Sequence, residues 1–462
     1  MIAGYLTNVL LGRLLGPFSY GIYGVIITLM TAINLTQTAG LPQAVAKFVA
    51  EDESKSESIL KSGLIVQSIS TILAALAFFF LAVPIADVLH DLQLVPYIQT
   101  SAAVFPFYGI YSIYLNYYNG LHLFKTQAMM NIVYSIAKLI SVVILVYFFH
   151  VYGAIWGFII SPFIVLLFWF HFPKNVSSHF SIKKLLLFSL PLIAFAICSN
   201  LLQSVDLFFV KALLHSNVRT GYYTANQNIA ELPFYGVVAL ASVLFPSISR
   251  SVSQNLHDET KKLITTALRF SFLIMTPSIL LISATSHQAL AFLYSQAYAP
   301  GGDALSILVI GSGFFTIFII LSTIISSSGR PGTSALLAFL GVVLSSILCM
   351  ILIPLYGLNG AALSTTIASF IAVSIAAIVV NRNFSVLLNV SSVGKIILAS
   401  FLVYMMAKAL SVPLLLLPFW YIILFGIYIL LLKFMKEITK DDIEQVKSLV
   451  PKKMTRINSN NG

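Results

Sequence analysis

Charge is scarce in this chain. Asp, Glu, Lys and Arg make up 9% of its 462 residues, whereas soluble proteins average about a quarter, so water is excluded as the main solvent. Cysteine is nearly absent. Cys198 and Cys349 both fall in apolar stretches, leaving no disulfide framework and no metal-ligand spacing. No G-x-x-x-x-G-K-[ST] loop occurs to cradle a nucleotide. There is no Ser-His-acid or HExxH pattern either, and the eight histidines are scattered. Connections are short, and Asp87 and Asp91 are the only acids an outer loop could offer to glycan-processing chemistry. The expectation is a non-enzyme with no cofactor and no metal.

Apolar residues supply 59% of the sequence, and the mean hydropathy is +0.96. Runs such as 132–149 and 414–432 have the length of about 20 residues that a hydrocarbon core demands of a helix. They recur along the whole chain, so a cleaved leader does not account for them. Turn and charge signals predict an all-α polytopic membrane protein with about fourteen spans. These lie near 1–15, 20–40, 59–83, 97–119, 126–149, 152–172, 185–213, 218–246, 263–290, 303–327, 333–354, 357–380, 393–411 and 414–434. The first is short for a bilayer crossing, which predicts a natural start several residues upstream.

The formal charge of +11 does not form the basic, aromatic-interleaved stripe that nucleic acid would need. It sits in alternate connections instead. One set holds Lys47, Lys55, Lys61, Lys125, Lys174, Lys183, Lys184, Arg250, Lys261, Lys262, Arg330, Arg382 and Lys395; the other holds only Arg13, Lys211, Arg219 and Lys408. Thirteen against four predicts that the first set and both termini are cytoplasmic in a cell membrane. The glycosylation-like triplets at Asn175, Asn383 and Asn389 then face the wrong side.

Internal repetition is present. Arg13-Leu-Leu with Gly21-Ile-Tyr23 resembles Lys211-Ala-Leu-Leu with Gly221-Tyr-Tyr223, and Tyr152-Gly153 through Gly157 resembles Tyr356-Gly357 through Gly360. Offsets near 200 predict two parallel six-span lobes. The expected units are 1–172, a linker 173–184, a second lobe 185–380, two extra helices within 381–434, and a basic tail 435–462.

Polar residues inside spans are costly and mark cavities or partners. In the fifth span Gln127, Asn131, Tyr134, Lys138 and Ser141 share one helical face, with Lys138 near mid-depth. The seventh span aligns Ser199, Gln203 and Asp206, and the eighth aligns Thr224, Asn228, Glu231 and Tyr235. Arg269 lies about two turns into the ninth span, and Arg13 is near the outer end of the first. Each is either a functional group or a structural pair, and Lys138 and Glu231 could pair across the lobes. The fourth span carries Tyr108, Tyr111, Tyr114, Tyr117 and Tyr118 with Asn116 and Asn119. These tyrosines read either as an interfacial belt or as rings that stack on sugars.

The stretch from Leu11 to Tyr23 (LGRLLGPFSYGIY), with 40–48 (GLPQAVAKF), resembles the opening of the polysaccharide transporter family. That family belongs to the multidrug/oligosaccharidyl-lipid/polysaccharide exporter superfamily. Motifs at 205–210, 221–223, 230–233, 244–246 and 353–362 continue the resemblance along nearly the whole chain. It implies two six-helix lobes around a central cavity, plus two C-terminal helices, alternating between inward-open and outward-open states. It also implies a lipid-linked oligosaccharide cargo on a polyprenyl phosphate or diphosphate. Protons or monovalent cations are the candidate coupling ions, and glycan-biosynthesis enzymes the membrane partners. On this reading Lys138, Arg269, Arg13, Asn131, Gln127, Tyr111 and Tyr118 bind substrate, while Asp206, Glu231 and Gln203 couple or gate. The rivals are a cation-coupled multidrug antiporter of the same superfamily and a peptidoglycan-precursor flippase, with a polytopic glycan-processing enzyme more remote.

Overall fold

In hydrocarbon a backbone must satisfy its own polar groups, which helices do within one segment. The computed structural model describes residues 2–173, 180–237, 251–252, 254, 256–327, 330–385, 390–410 and 412–437. Among them there is no strand. Residues 174–179 of the basic stretch, the end of the expected eighth span with its motif at 244–246, and the tail beyond Glu437 lie outside the described residues. So do Lys174, Arg250, Asn175 and Asn389. The first lobe contains α1 (Ile2–Thr38), α2 (Leu41–Glu51), α3 (Ser56–Phe80), α4 (Ala82–Val88), α5 (Val95–Ser101), α6 (Val104–Gly120) and α7 (Phe124–Trp169). The second contains α8 (Ile182–Leu214), α9 (Asn217–Ala230), α10 (His257–Ala284), α11 (Ser286–Leu293), α12 (Gly302–Ser327), α13 (Pro331–Tyr356) and α14 (Leu358–Phe384). Helices α15 (Val390–Ala409) and α16 (Leu417–Phe434) follow.

Ten described segments are long and apolar enough to cross a membrane. Two of them hold a pair of spans each, because a single residue breaks the helix. In α1 the break is Gly16, at φ 68° and ψ 170°, a conformation glycine adopts without a Cβ penalty. Pro17 then opens the next helix, where its missing N–H costs nothing. In α7 the break is His150, at φ 50° and ψ −126°. The fourth expected span corresponds to α5 with α6. The eighth corresponds to α9, which turns at Glu231 and resumes helically over 232–237. Each of the fourteen expected spans thus has a helical counterpart.

The repeat is visible in the backbone, with one correction of register. His150 in the first lobe and Gly357 (φ 58°, ψ −130°) in the second make the same one-residue reversal. Three residues later Gly153 lies against the Leu145 carbonyl, and Gly360 against the Leu352 carbonyl. The equivalent of Gly153 is therefore Gly360, not the Gly357 suggested by the shared Tyr-Gly pair. Absence of a side chain lets each pair of antiparallel spans touch backbone to backbone, as small residues do in membrane helix packing.

Buried residues of α1, α4–α7, α9, α12 and α14 form a core that runs across both lobes at the Arg13 end, and α10, α12, α13 and α14 form a second core within the later lobe. Helices α15 and α16 dock on α10, where Tyr428 donates to the Leu273 carbonyl at 2.9 Å. The opposite surfaces are apolar and uncovered. Ile132, Ile136, Ile140 and Ile144 are each more than half exposed at four-residue intervals, a stripe suited to lipid.

Candidate functional site

The second half of α1 (17–38) runs between two adjoining cavities. Asn8, Tyr23, Ile27 and Thr31 line both, so the two are halves of one central site. The half on the first-lobe side encloses about 280 Å³ and adds Asn34, Tyr108, Tyr134, Lys138 and Phe158. The half on the second-lobe side encloses about 230 Å³ and adds Asn200, Gln203, Gln227, Asn228 and Glu231. Their chemistry differs sharply.

Lys138 is the cation of the first half. It projects from α7 on the face opposite the lipid-exposed isoleucines, and its Nζ stands 4.1 Å above the Phe158 ring. Among the described residues it forms no ion pair. A cation–π contact of this kind holds an ammonium without neutralising it. Around it, Tyr111 and Tyr134 stack at 4.9 Å, Tyr108 packs 5.9 Å from Tyr134, and the Tyr111 hydroxyl donates to Asn131 at 3.1 Å. Tyr108 and Tyr134 reach the cavity itself; Tyr111 and Asn131 support them from behind.

The second half is acidic. Gln203 Nε2 donates to Glu231 at 3.0 Å, and the Tyr235 hydroxyl donates to the other oxygen at 3.2 Å. Lys138 and Glu231 are not paired with each other in this state. Behind Glu231 lies Asp206, with no solvent exposure. Its carboxylate accepts from the hydroxyls of Tyr223 and Thr365, both at 2.6 Å, from Gln227 at 2.9 Å and from the Leu207 amide at 2.8 Å. Gln203, Asp206 and Glu231 thus belong to one polar cluster spanning α8, α9 and α14. Among the described residues no trio of His, Cys, Asp or Glu is arranged to hold a metal ion.

Other sequence candidates stand elsewhere. Arg13 donates from Nε to the Leu293 carbonyl at 2.7 Å and from Nη2 to the Phe292 carbonyl, where a helix terminus favours a cation. Arg269 is tied to Glu437 by a 3.1 Å ion pair and by a 2.6 Å bond to its carbonyl, with Lys395 3.7 Å from the same carboxylate. Neither arginine lines a half of the central site; Arg269 fastens α10 to the residues after α16. Gln127 and Tyr118 do not line it either, and Tyr118 packs on Tyr117 and His171. Sequence reasoning passed over Asn8, Tyr23, Thr31 and Asn34, although polar side chains inside the first two spans were a readable signal.

At the Arg13 end the lobes are closed. Asn8 Nδ2 donates to Asn228 Oδ1 at 2.8 Å, and the Tyr298 hydroxyl donates to the Gly12 carbonyl at 2.7 Å. Lys211, 2% exposed, pairs with Asp91 and also donates to Asn217, which in turn donates to Asp91 at 3.1 Å. Burial alone would raise the Asp91 carboxyl. The hydrogen bonds from Lys211 and Asn217, with the lysine's charge, hold it below its ordinary value instead.

Several solved structures share this architecture, and the chain has curated relatives among membrane proteins. The chain is 22% identical over 413 residues to the uncharacterized membrane protein YabM of Bacillus subtilis, covering 81% of this chain and 77% of that one. It is 24% identical over 148 residues to the probable low-salt glycan biosynthesis flippase Agl15 of Haloferax volcanii, covering 32% and 31%. Among solved structures, the lipid II flippase MurJ in an inward closed conformation superposes with a TM-score of 0.77 at 16% identity, over 94% of this chain and 96% of that one. An inward-facing multidrug resistance MATE family transporter gives 0.73 at 14% identity, over 83% and 94%. The family model for polysaccharide biosynthesis proteins matches residues 1–252, more than half of the sequence. The chain belongs to the polysaccharide biosynthesis protein family.

Proposed function

We propose that this protein is an alternating-access flippase that moves a lipid-linked oligosaccharide, carried on a polyprenyl phosphate or diphosphate, across the cell membrane. The two lobes, 1–172 and 185–380, would rock about the central site, with the Arg13 and Asp91 end facing outward and both termini cytoplasmic. One observation carries the reading. Lys138 presents an unneutralised ammonium inside a half-cavity walled by tyrosines and amides. A phosphate is the anion that such a charge attracts, and phenolic rings offer sugars both an apolar face and a hydroxyl. The prenyl tail need not enter the cavity and can stay in the bilayer. Similarity to Agl15 and to MurJ supports this cargo class. Glycan-biosynthesis enzymes at the membrane would supply and consume it.

Gln203, Asp206 and Glu231 would carry the coupling proton or monovalent cation. A second reading, a cation-coupled drug antiporter, draws on these same carboxylates and on the likeness to MATE transporters. Liposomes separate the two. Purified protein is reconstituted with a fluorescent short-chain polyprenyl-diphosphate sugar, and its transfer between leaflets is followed with and without a proton gradient. Protein-dependent transfer lost in Lys138→Ala is the expected result. No transfer, together with gradient-driven export of cationic dyes, would overturn it in favour of the antiporter.

A further inference from the structure

The glycines of the repeated Gly-x-Tyr motif do not line the central site, yet the two copies meet at one point. A Cβ added to Gly21 would lie 1.9 Å from the Asn217 carbonyl oxygen and 2.8 Å from the Gly221 nitrogen. A Cβ added to Gly221 would lie 1.9 Å from the Pro17 carbonyl oxygen and 3.1 Å from the Gly21 nitrogen. Each glycine therefore seats the carbonyl four residues before the other, and a local two-fold axis passes between them. One turn along, Gly24 touches Thr224, where an added Cβ would lie 2.0 Å from Oγ1. No side chain of any kind fits at 21 or 221 while the helices stay this close.

We propose that Gly21 and Gly221 are the positioning residues of the closed state: they let α1 and α9 cross in backbone contact, and that crossing shuts the Arg13 end. The surrounding contacts fit this role. The Asn8–Asn228 bridge joins α1 to α9 at the central site, while the Asp91–Lys211–Asn217 cluster ties the segment after α4 to α8 and α9. Once the crossing is separated, these bonds lose their geometry together. A methyl group at either glycine then acts like a ligand for the state in which this end is open, shifting a two-state equilibrium without touching substrate. Thr224 differs in kind, because its obstruction to position 24 comes from side-chain atoms, Oγ1, Cγ2 and Cβ at 2.0, 2.7 and 2.8 Å, all of which Thr224→Gly removes.

The inference rests on the alternating-access reading, but its test needs no substrate. Thr31→Cys is introduced into a protein carrying Cys198→Ala and Cys349→Ala, reconstituted, and labelled with a membrane-impermeant maleimide from each face. Gln93→Cys, in the exposed loop beside Asp91, reports which face is which. Gly21→Ala and Gly221→Ala should each raise labelling of Thr31→Cys several-fold from the Gln93 face. Gly426→Ala, whose Cβ would meet nothing within 4 Å, should leave it unchanged. Gly24→Ala should raise labelling too, and Thr224→Gly added to it should restore the parent value, because an added Cβ at 24 meets Thr224 Cβ itself at 2.8 Å. Thr224→Gly should not rescue Gly21→Ala, whose obstruction is the Asn217 carbonyl. If the glycine variants fold poorly, the Gly24→Ala pair carries the test alone. Unchanged labelling in folded Gly21→Ala and Gly221→Ala, or in Gly24→Ala, would overturn the crossing as the gate. Failure of sugar-lipid transfer with intact labelling shifts would overturn the cargo instead.

Discussion

The two lobes share a backbone plan and differ in what they place on it. Tyr23 and Tyr223 occupy matching positions of the repeat. Tyr23 donates to Asn8 at 3.1 Å, whereas Tyr223 donates to Asp206 at 2.6 Å. An amide in one lobe thus stands where a carboxylate stands in the other. The cavities follow suit, with Lys138 among tyrosines on one side and Glu231 among amides on the other. Under the proposed function a symmetric frame would support a symmetric motion, while unlike linings would let one half address an anion and the other a cation. Division of labour between the lobes is thereby written in a handful of side chains.

The largest expected effect tests the cationic half. Lys138→Ala should cut transfer of a phosphate-bearing lipid about ten- to a hundredfold, since a hydrogen bond to a charged group contributes about 1.5–3 kcal/mol. Initial rates at matched protein density check it, and Lys138→Arg should recover part of the loss. Next comes the acidic half. Asp206→Ala should abolish any response to the ion gradient and lower the thermal midpoint. It leaves Tyr223, Thr365 and Gln227 without their acceptor, at about 1–3 kcal/mol per orphaned donor. Equal gradient responses in wild type and variant would erase the contrast between the halves.

A smaller effect is expected outside both. Arg269→Ala removes a partner of the buried Glu437 carboxylate, so thermal stability should fall while transfer persists near the wild-type rate. Loss of transfer at unchanged stability would return Arg269 to the substrate path. The smallest effect concerns acid. Asp91 is held below its ordinary value by Lys211 and Asn217, so its contribution to closure is present above the unfolded-state value and fades only as pH falls through the lowered one. Labelling of Thr31→Cys from the Gln93 face should stay flat from neutral to mildly acidic pH and rise only below the usual carboxylate range. Asp91→Asn should raise it slightly at neutral pH.

Much of the fold was legible because membrane helices announce themselves by length and hydropathy, and each of the fourteen expected spans has its helix. The turn at Gly16–Pro17 was readable from residue types. The reversal at His150 was placed by the pattern on either side, although histidine itself gives no sign of a positive φ. Lys138 and Glu231 stood out because charge at mid-depth is costly, and the structure puts each in a half of the central site. Arg269 shows the limit. Its partner Glu437 lies 168 residues away, and no periodicity within one helix foretells a contact made by docking two others. The Tyr-Gly match slipped by three residues for a related reason. Close packing at Gly153 and Gly360 belongs to the hairpin, not to either strip of sequence.

Those hairpins bear on how the protein is made. With His150 and Gly357 as the sole residues between paired spans, no slack chain exists to rest in water while a second span awaits synthesis. Spans five and six, and likewise eleven and twelve, are therefore expected to insert as paired units. Each pair is the last of its lobe to be made, so its arrival completes a lobe whose other four spans precede it in the chain.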